Sequence, residues 1–391
     1  ELSNQIDDYV ASYEPEDQLE WSIVLSEIKA FIDSDSPVRV LDAVNSEVTL
    51  THRLTNLTTP PLEKTPAMDL LLEEIIIVGN RQDQSKFSEL TMDMFRILQT
   101  LEREPVDEAS ALPTATPTAT STNSSKRENP HKQMLFRPNI DTLLTYLTCS
   151  WKDVQVPHGV LLVYLSCDEV KFPIDIQRHV QGYDSGGVVA GKKNEVSFND
   201  RFSIEMQCLY PGDLTVYTRK PLFVIVDSDN STIFQELLSP FGCPLVVLMS
   251  PEQTPTYLQE LHPLRGSLYT LFLHCPLAAF CSISSIDNLP FGLWEIGLTY
   301  VDRFMAEASR LLCRNCTDEQ ILQFFGDDFL RLLILRHIFC SAVLSLHKSF
   351  QSKMYQPSAN RVQLSMDSDH LNHMVLDLAN HLGVQHDFFT K

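Results

Sequence analysis

Leu222-Phe223-Val224-Ile225-Val226-Asp227 and Leu245-Val246-Val247-Leu248-Met249 are two short, unbroken apolar runs on either side of a turn at Pro240-Phe241-Gly242. Neither alternates polar with apolar residues, and both are short and rich in β-branched side chains. They therefore read as strands covered on both faces. A short helical pattern at about 232–238 lies between them, and strand, helix, strand in succession predicts a parallel pair.

The same pattern extends toward the amino terminus. Val160–Leu165 is a third apolar run, led in by a helix near 139–150, and Glu74–Asn80 is a fourth, closed by Gly79-Asn80. Phe87, Leu90, Met94, Ile97, Leu98 and Leu101 fall on one stripe and predict a helix over about 85–103, stopped at Pro105. Val38–Leu41 reads as a short strand. Helical spacing in 1–33, broken at Glu14-Pro15-Glu16, predicts a helical hairpin, and about 292–314, 317–349 and 368–382 read as helices. The predicted fold is α/β: a mostly parallel central sheet flanked by helices, with an N-terminal helical hairpin and a helical C-terminal region.

The expected segments are 1–36 as the end of an N-terminal helical region and 37–104 as the start of the α/β module. A linker over 105–130, the α/β core over 131–290 and the helical region over 291–391 complete them. The linker is a Pro/Ala/Thr/Ser tract without apolar periodicity, too polar to offset its ordering entropy. Lys126-Arg127 within it has the look of a short basic signal, although a flexible spacer is the simpler account. Glu1-Leu2-Ser3 reads as the inside of a helix already running, so an upstream portion is expected.

Fifty-one carboxylates face thirty Lys and Arg, a formal charge of −21. Affinity for a duplex comes largely from bases neutralising phosphates, so direct nucleic-acid binding is not expected. The nine cysteines are an odd number, several within apolar runs, as in a reducing compartment rather than a disulfide framework.

Three stretches suggest chemistry. Val226-Asp227-Ser228-Asp229 places Asp-X-Asp at a strand end, where phosphatases of the haloacid dehalogenase type present a nucleophilic and a metal-binding carboxylate. Further carboxylates must converge there. Asp327-Asp328 are the candidates, yet by pattern they open a helix, so Asp227 and Asp229 read as turn caps. Cys313-X-X-Cys316 with His337-X-X-Cys340 resembles a set of four zinc ligands, but the second pair sits in an apolar helix where packing explains it. Residues 266–286 carry no charge for 21 positions, long enough for a membrane span; Pro276, His274 and four serines favour a core strand followed by a helix. No Walker loop, nucleophile elbow or GxGxxG occurs. No catalytic, cofactor-binding or metal residue is assigned.

Several blocks resemble the suppressor of cancer cell invasion (SCAI) family: Asp17-Gln18-Leu19-Glu20-Trp21, Lys86-Phe87-Ser88-Glu89-Leu90-Thr91, and Met94-Phe95-Arg96 running to Leu101-Glu102-Arg103-Glu104-Pro105. Arg127-Glu128-Asn129-Pro130-His131-Lys132, Pro211-Gly212-Asp213-Leu214 and Thr218-Arg219-Lys220-Pro221-Leu222-Phe223 follow. Arg265-Gly266-Ser267-Leu268 and Gln323-Phe324-Phe325-Gly326-Asp327 complete the ordered set, and the loops at 105–125 and 170–200 depart most. The resemblance implies a non-enzymatic nuclear corepressor, also cytoplasmic, without a cofactor. It would inhibit myocardin-related transcription factors, and through them serum response factor, downstream of Rho, restraining migration and invasion. The resemblance also implies a role in DNA double-strand-break repair through DNA-damage mediator proteins. The alternatives are a metal-dependent phosphatase-like enzyme centred on Asp227 and Asp229, or a membrane-associated adaptor using 266–286.

Overall fold

Ile75 and Ile77 lie on one side of a strand, Ile76 and Val78 on the other, and all four are fully buried. Burial on both faces is what a strand between two helical layers requires. The computed structural model describes residues 18–35, 37–50, 59–60, 62, 65–102, 129–170, 186–190, 207–315, 319–360 and 369–389. Residues 1–17, most of the 105–130 tract with Lys126-Arg127, and Cys316 lie outside them. So does much of 171–206.

The central sheet has six strands: β1 (Leu71–Asn80), β2 (His131–Phe136), β3 (Gly159–Cys167), β4 (Leu222–Asp227), β5 (Leu245–Met249) and β6 (Ser358–Ala359). Their spatial order is β2-β1-β3-β4-β5-β6, all parallel except β6. The mostly parallel α/β sheet expected from the apolar runs is present. Ile76, Val163, Val224 and Val247 form one row across four strands.

Helices α1 (Gln18–Asp35), α2 (Met92–Thr100), α3 (Ile140–Asp153), α4 (Leu268–His274), α5 (Pro276–Ile283), α6 (Phe291–Asn315), α7 (Asp328–Leu346) and α8 (Asp369–His381) surround it. The chain steps from β1 outward to β2, then returns past β1 to β3. With right-handed crossovers this reversal puts successive helices on opposite faces. Met94 and Ile97 of α2 accordingly join the core on one face, and Leu143 and Leu147 of α3 the core on the other. α4 to α8 pack on the α2 side, so one apolar core runs from Val38 to Phe388. α1 matches the second helix of the expected hairpin; the expectation of a first helix lies outside the described residues.

Three expectations change. The helix predicted over about 85–103 begins only at Met92, because Ser85 O accepts from Met92 N and the Thr91 hydroxyl accepts from Met94 N. Before it, Lys86–Phe87 and Leu90–Thr91 pair as a tight hairpin with Ser88 at φ 56°. Phe87 and Leu90 satisfy helical spacing, yet the cap at Thr91 decides the start.

The apolar stretch 266–286 is two helices, α4 and α5, rather than a strand and a helix. Pro276 cannot donate to an α-helical ladder, so the break falls at Cys275-Pro276. The pattern over about 317–349 is likewise interrupted: Glu319–Gln323 and a 3-10 turn at Phe324–Gly326 precede α7. Gly326 lies so close to the main chain that a Cβ would sit 2.6 Å from Met68 O and 2.7 Å from Leu70 O. Asp327 then caps α7, accepting from Phe329 N, Leu330 N and also Leu72 N of β1. Among the described residues α7 is the helix long and apolar enough to cross a membrane, but 83% of its apolar window is buried in the core. A helix apolar all round is what such a central position requires.

Lys220, in one of the family-like blocks, closes the other face. Its Nζ donates to the terminal carbonyls of Trp151 at 2.6 Å, Lys152 at 3.2 Å and Val154 at 2.8 Å, and stacks 4.6 Å over the Trp151 ring. A cation on the last carbonyls of a helix satisfies acceptors that have no helical donor. Lys220→Met is expected to lower stability by about 1.5 kcal/mol, read as a shift in urea midpoint at unchanged slope. A midpoint equal to wild type would mean that the cap is decorative.

Candidate functional site at the carboxyl ends of the strands

Gly79, Ser166 and Asp227 form the last row across β1, β3 and β4. The strand order reverses between β1 and β3, and in doubly wound sheets the crevice at such a reversal, outside the carboxyl ends, is where ligands bind. The residues at that edge are polar and buried, unlike the apolar rows behind them.

Asp227 is 1% exposed. Its Oδ2 accepts from the Thr270 hydroxyl of α4 at 2.6 Å, and Thr270 is in turn 2.6 Å from the Tyr164 hydroxyl. Its Oδ1 faces Arg81 Nη2 at 3.4 Å, and the same nitrogen stands 3.4 Å from Asp229 Oδ1. Burial pushes the Asp227 carboxyl above the ordinary range, and Arg81 opposes the rise. Burial works against the charge on Arg81, but Asp227, Asp229, Asp93 and Asp168 together outweigh it and hold the guanidinium protonated. Tyr164 is raised as well, by burial first and then by Asp93 and Asp227.

A second buried carboxylate braces the same edge. Asp93 of α2 is fully buried and accepts from Ser267 N at 2.9 Å, from the Ser166 hydroxyl at 3.1 Å and from the Gln84 amide. Gly266 allows this approach: its φ is +71°, and a Cβ there would lie 2.6 Å from Asp93 Oδ1. The neighbouring buried Arg96 donates to Arg265 O and, at 3.1 Å, to Ser34 O. Two blocks distant in sequence, around Met94-Phe95-Arg96 and Arg265-Gly266-Ser267, are thus one polar joint.

Outside this joint opens a cleft of about 560 Å³. Asp83, Glu169, Asp227, Asp229 and Glu252 line it against Arg81 and His262, with Tyr355 and Leu268 as apolar lining. His262 Nδ1 pairs with Asp83 at 3.0 Å and draws that carboxyl below its usual range.

The Asp-X-Asp pair therefore lies at the strand-end crevice, but neither residue is a simple turn cap. Both oxygens of Asp227 are engaged, and a guanidinium supplies the positive charge that a metal would bring. Asp327 stands at the start of β1, beside Leu72, a strand length of about 25 Å from the carboxyl edge, so it cannot complete a carboxylate set there. Of the four residues with zinc-ligand spacing, Cys313 is exposed and His337 and Cys340 are buried in α7, while Cys316 lies outside the described residues. The Tyr269 hydroxyl and His337 Nδ1 share a hydrogen bond of 2.9 Å, and burial holds His337 down to about 4. Among the described residues no group of three or more His, Cys, Asp or Glu could hold a metal ion.

Arg81, Thr270, Tyr164 and Asp93 carry the site without being legible as site residues in the sequence. Only the position of Asn80-Arg81 directly after a buried parallel strand pointed toward them.

A sequence model of the family described as Protein SCAI matches residues 1–350. The chain is 41% identical to Protein SCAI of Mus musculus and 42% identical to that of Homo sapiens, each over 403 aligned residues and 100% of this chain. It spans 66% of the length of both relatives. The Protein SCAI homolog of Dictyostelium discoideum is 28% identical over 92% of this chain and 68% of its own. Among solved structures, Chaetomium thermophilum Raptor is similar over 83% of this chain and 30% of that one, with a TM-score of 0.46 and 11% identity.

Proposed function

The chain belongs to the SCAI family, and from that premise we propose that it is a protein-interaction scaffold acting as a transcriptional corepressor. It inhibits myocardin-related transcription factors and, through them, serum response factor downstream of Rho, restraining migration and invasion. It works in the nucleus with a cytoplasmic pool, and its contribution to double-strand-break repair runs through DNA-damage mediator proteins. The observation that supports binding over catalysis is the state of Asp227: buried, accepting from Thr270 and closed by Arg81. A nucleophile or metal ligand needs a free lone pair facing the substrate. The acidic excess further favours action through protein partners, since this surface repels phosphates.

Purified chain alone is expected to leave a serum-response-element duplex unshifted at physiological salt, and to join the complex once the myocardin-related factor and serum response factor are added. A salt-sensitive shift by this chain alone would overturn tethered repression.

A further inference from the structure

Taking the scaffold reading as its basis, we propose that the cleft at the carboxyl ends of β3 to β5 holds an extended Lys/Arg-rich segment of a partner protein. Its cationic side chains meet Asp229 and Glu252, and one of its main-chain carbonyls accepts from Arg81. Two independent observations carry this.

The first is charge and shape. A cleft of about 560 Å³ falls within the range of pockets that enclose a specific ligand. The positive charge of Arg81 is shared between Asp227 and Asp229, and His262 is engaged by Asp83. The lining therefore presents net negative charge to anything entering. Asp229 is exposed, and Glu252, half-buried in the cleft lining, receives the Thr232 hydroxyl on one oxygen. Tyr355 and Leu268 offer apolar surface for the methylene stem of a lysine or arginine.

The second is Arg81 itself. Its side chain is 9% exposed, it lines the cleft, and its Nε–H has no acceptor among the described residues. A buried donor without a partner costs roughly 1–3 kcal/mol, which a ligand oxygen would recover. A carboxylate or phosphate could accept from Arg81, but the five carboxylates around it would repel the rest of such a ligand. An inorganic or polyamine cation would satisfy the carboxylates and leave Nε–H orphaned. A basic peptide supplies both a neutral carbonyl oxygen and cations, with the spacing of an extended chain.

The test uses the full chain and fluorescence anisotropy with a labelled ten-residue Lys/Arg-rich peptide, and a Glu/Asp-rich peptide of equal length. Asp229→Asn with Glu252→Gln removes the two carboxylates proposed to meet the peptide, and leaves the exposed Asp83 and Glu169 of the lining in place. Glu236→Gln with Glu295→Gln, exposed and outside the cleft, makes the same change in net charge. The basic peptide is expected to bind wild type, the acidic one not. The cleft pair should weaken binding about tenfold and the control pair less than about twofold, with thermal midpoints unchanged in both. Equal weakening by the two pairs, no binding of the basic peptide, or preference for the acidic one each overturns the proposal. Coprecipitation of the myocardin-related factor is measured in parallel. Retained coprecipitation with a cleft that ignores the peptide overturns this inference alone, whereas a wild-type chain that captures no transcription factor overturns the scaffold reading.

Discussion

Arg81→Met is expected to lower the free energy of unfolding by about 4 kcal/mol at neutral pH, because it leaves a buried carboxylate unpaired. Asp227 retains the Thr270 hydroxyl, but with Asp93 also buried nearby, the guanidinium is the opposing charge at this edge. The sign of the pH dependence follows from the direction of the Asp227 shift. Its folded carboxyl already binds a proton more readily than the unfolded one, and loss of Arg81 raises it further. A group with a raised folded value binds more protons folded than unfolded, so its contribution is present at low pH and lost as pH rises through that value. The Arg81→Met deficit should therefore shrink between neutral pH and about pH 5. Asp227→Asn in the same background removes the orphaned charge and keeps an acceptor for Thr270. It should recover about half of the loss, the non-additivity expected of contacting groups. Urea unfolding of wild type, Arg81→Met, Asp227→Asn and the double variant at both pH values checks this. A deficit under about 1 kcal/mol, or one that grows on acidification, would show that the pair is not buried as described.

Much of the sheet was legible because its signal is local. Leu222–Asp227 and Leu245–Met249 are strands with the predicted bounds, since an unbroken apolar run flanked by turn residues has few other solutions when both faces are covered. Strand order was not legible: nothing in His131–Phe136 says that it lies outside β1, a consequence of crossover handedness and core packing. Where local patterns competed, capping decided. The apolar stripe from Phe87 to Leu101 fits a helix throughout, yet Thr91 and Ser88 divide it.

The site was half legible. Asp227 and Asp229 stood out through their place at a strand end, and the structure keeps them there. Their environment was invisible, because Arg81 and Thr270 come from 146 and 43 residues away and belong to no motif. The family-like blocks show the same limit. Arg265-Gly266-Ser267 and Phe325-Gly326-Asp327 look like unremarkable turns. In the fold each is a place where the main chain approaches too closely for a Cβ, and where a buried carboxylate accepts from the main chain, Asp93 from one backbone N–H and Asp327 from several.

Leu271→Asp is expected to lower stability by about 5 kcal/mol, combining a lost core leucine with a carboxyl that has no partner there. Leu271 is 3% exposed on α4, within the larger apolar core and beside Phe272, which packs on Phe339. A loss of that size is comparable to the whole stability of many domains, so the variant should be largely unfolded and recovered as aggregate. Leu271→Met keeps the volume and should cost under about 1.5 kcal/mol. The same substitution separates the core from the membrane reading of 266–286. As α4 and α5, of 7 and 8 residues, neither helix reaches the roughly 20 residues that a span requires. α7 has the length, but its side chains are committed to the core. Wild type should therefore unfold cooperatively in aqueous buffer and stay in the aqueous phase of a Triton X-114 separation, while Leu271→Asp loses the cooperative transition. Wild type that partitions into the detergent phase, together with a Leu271→Asp variant that is released from it still folded, would reverse the assignment.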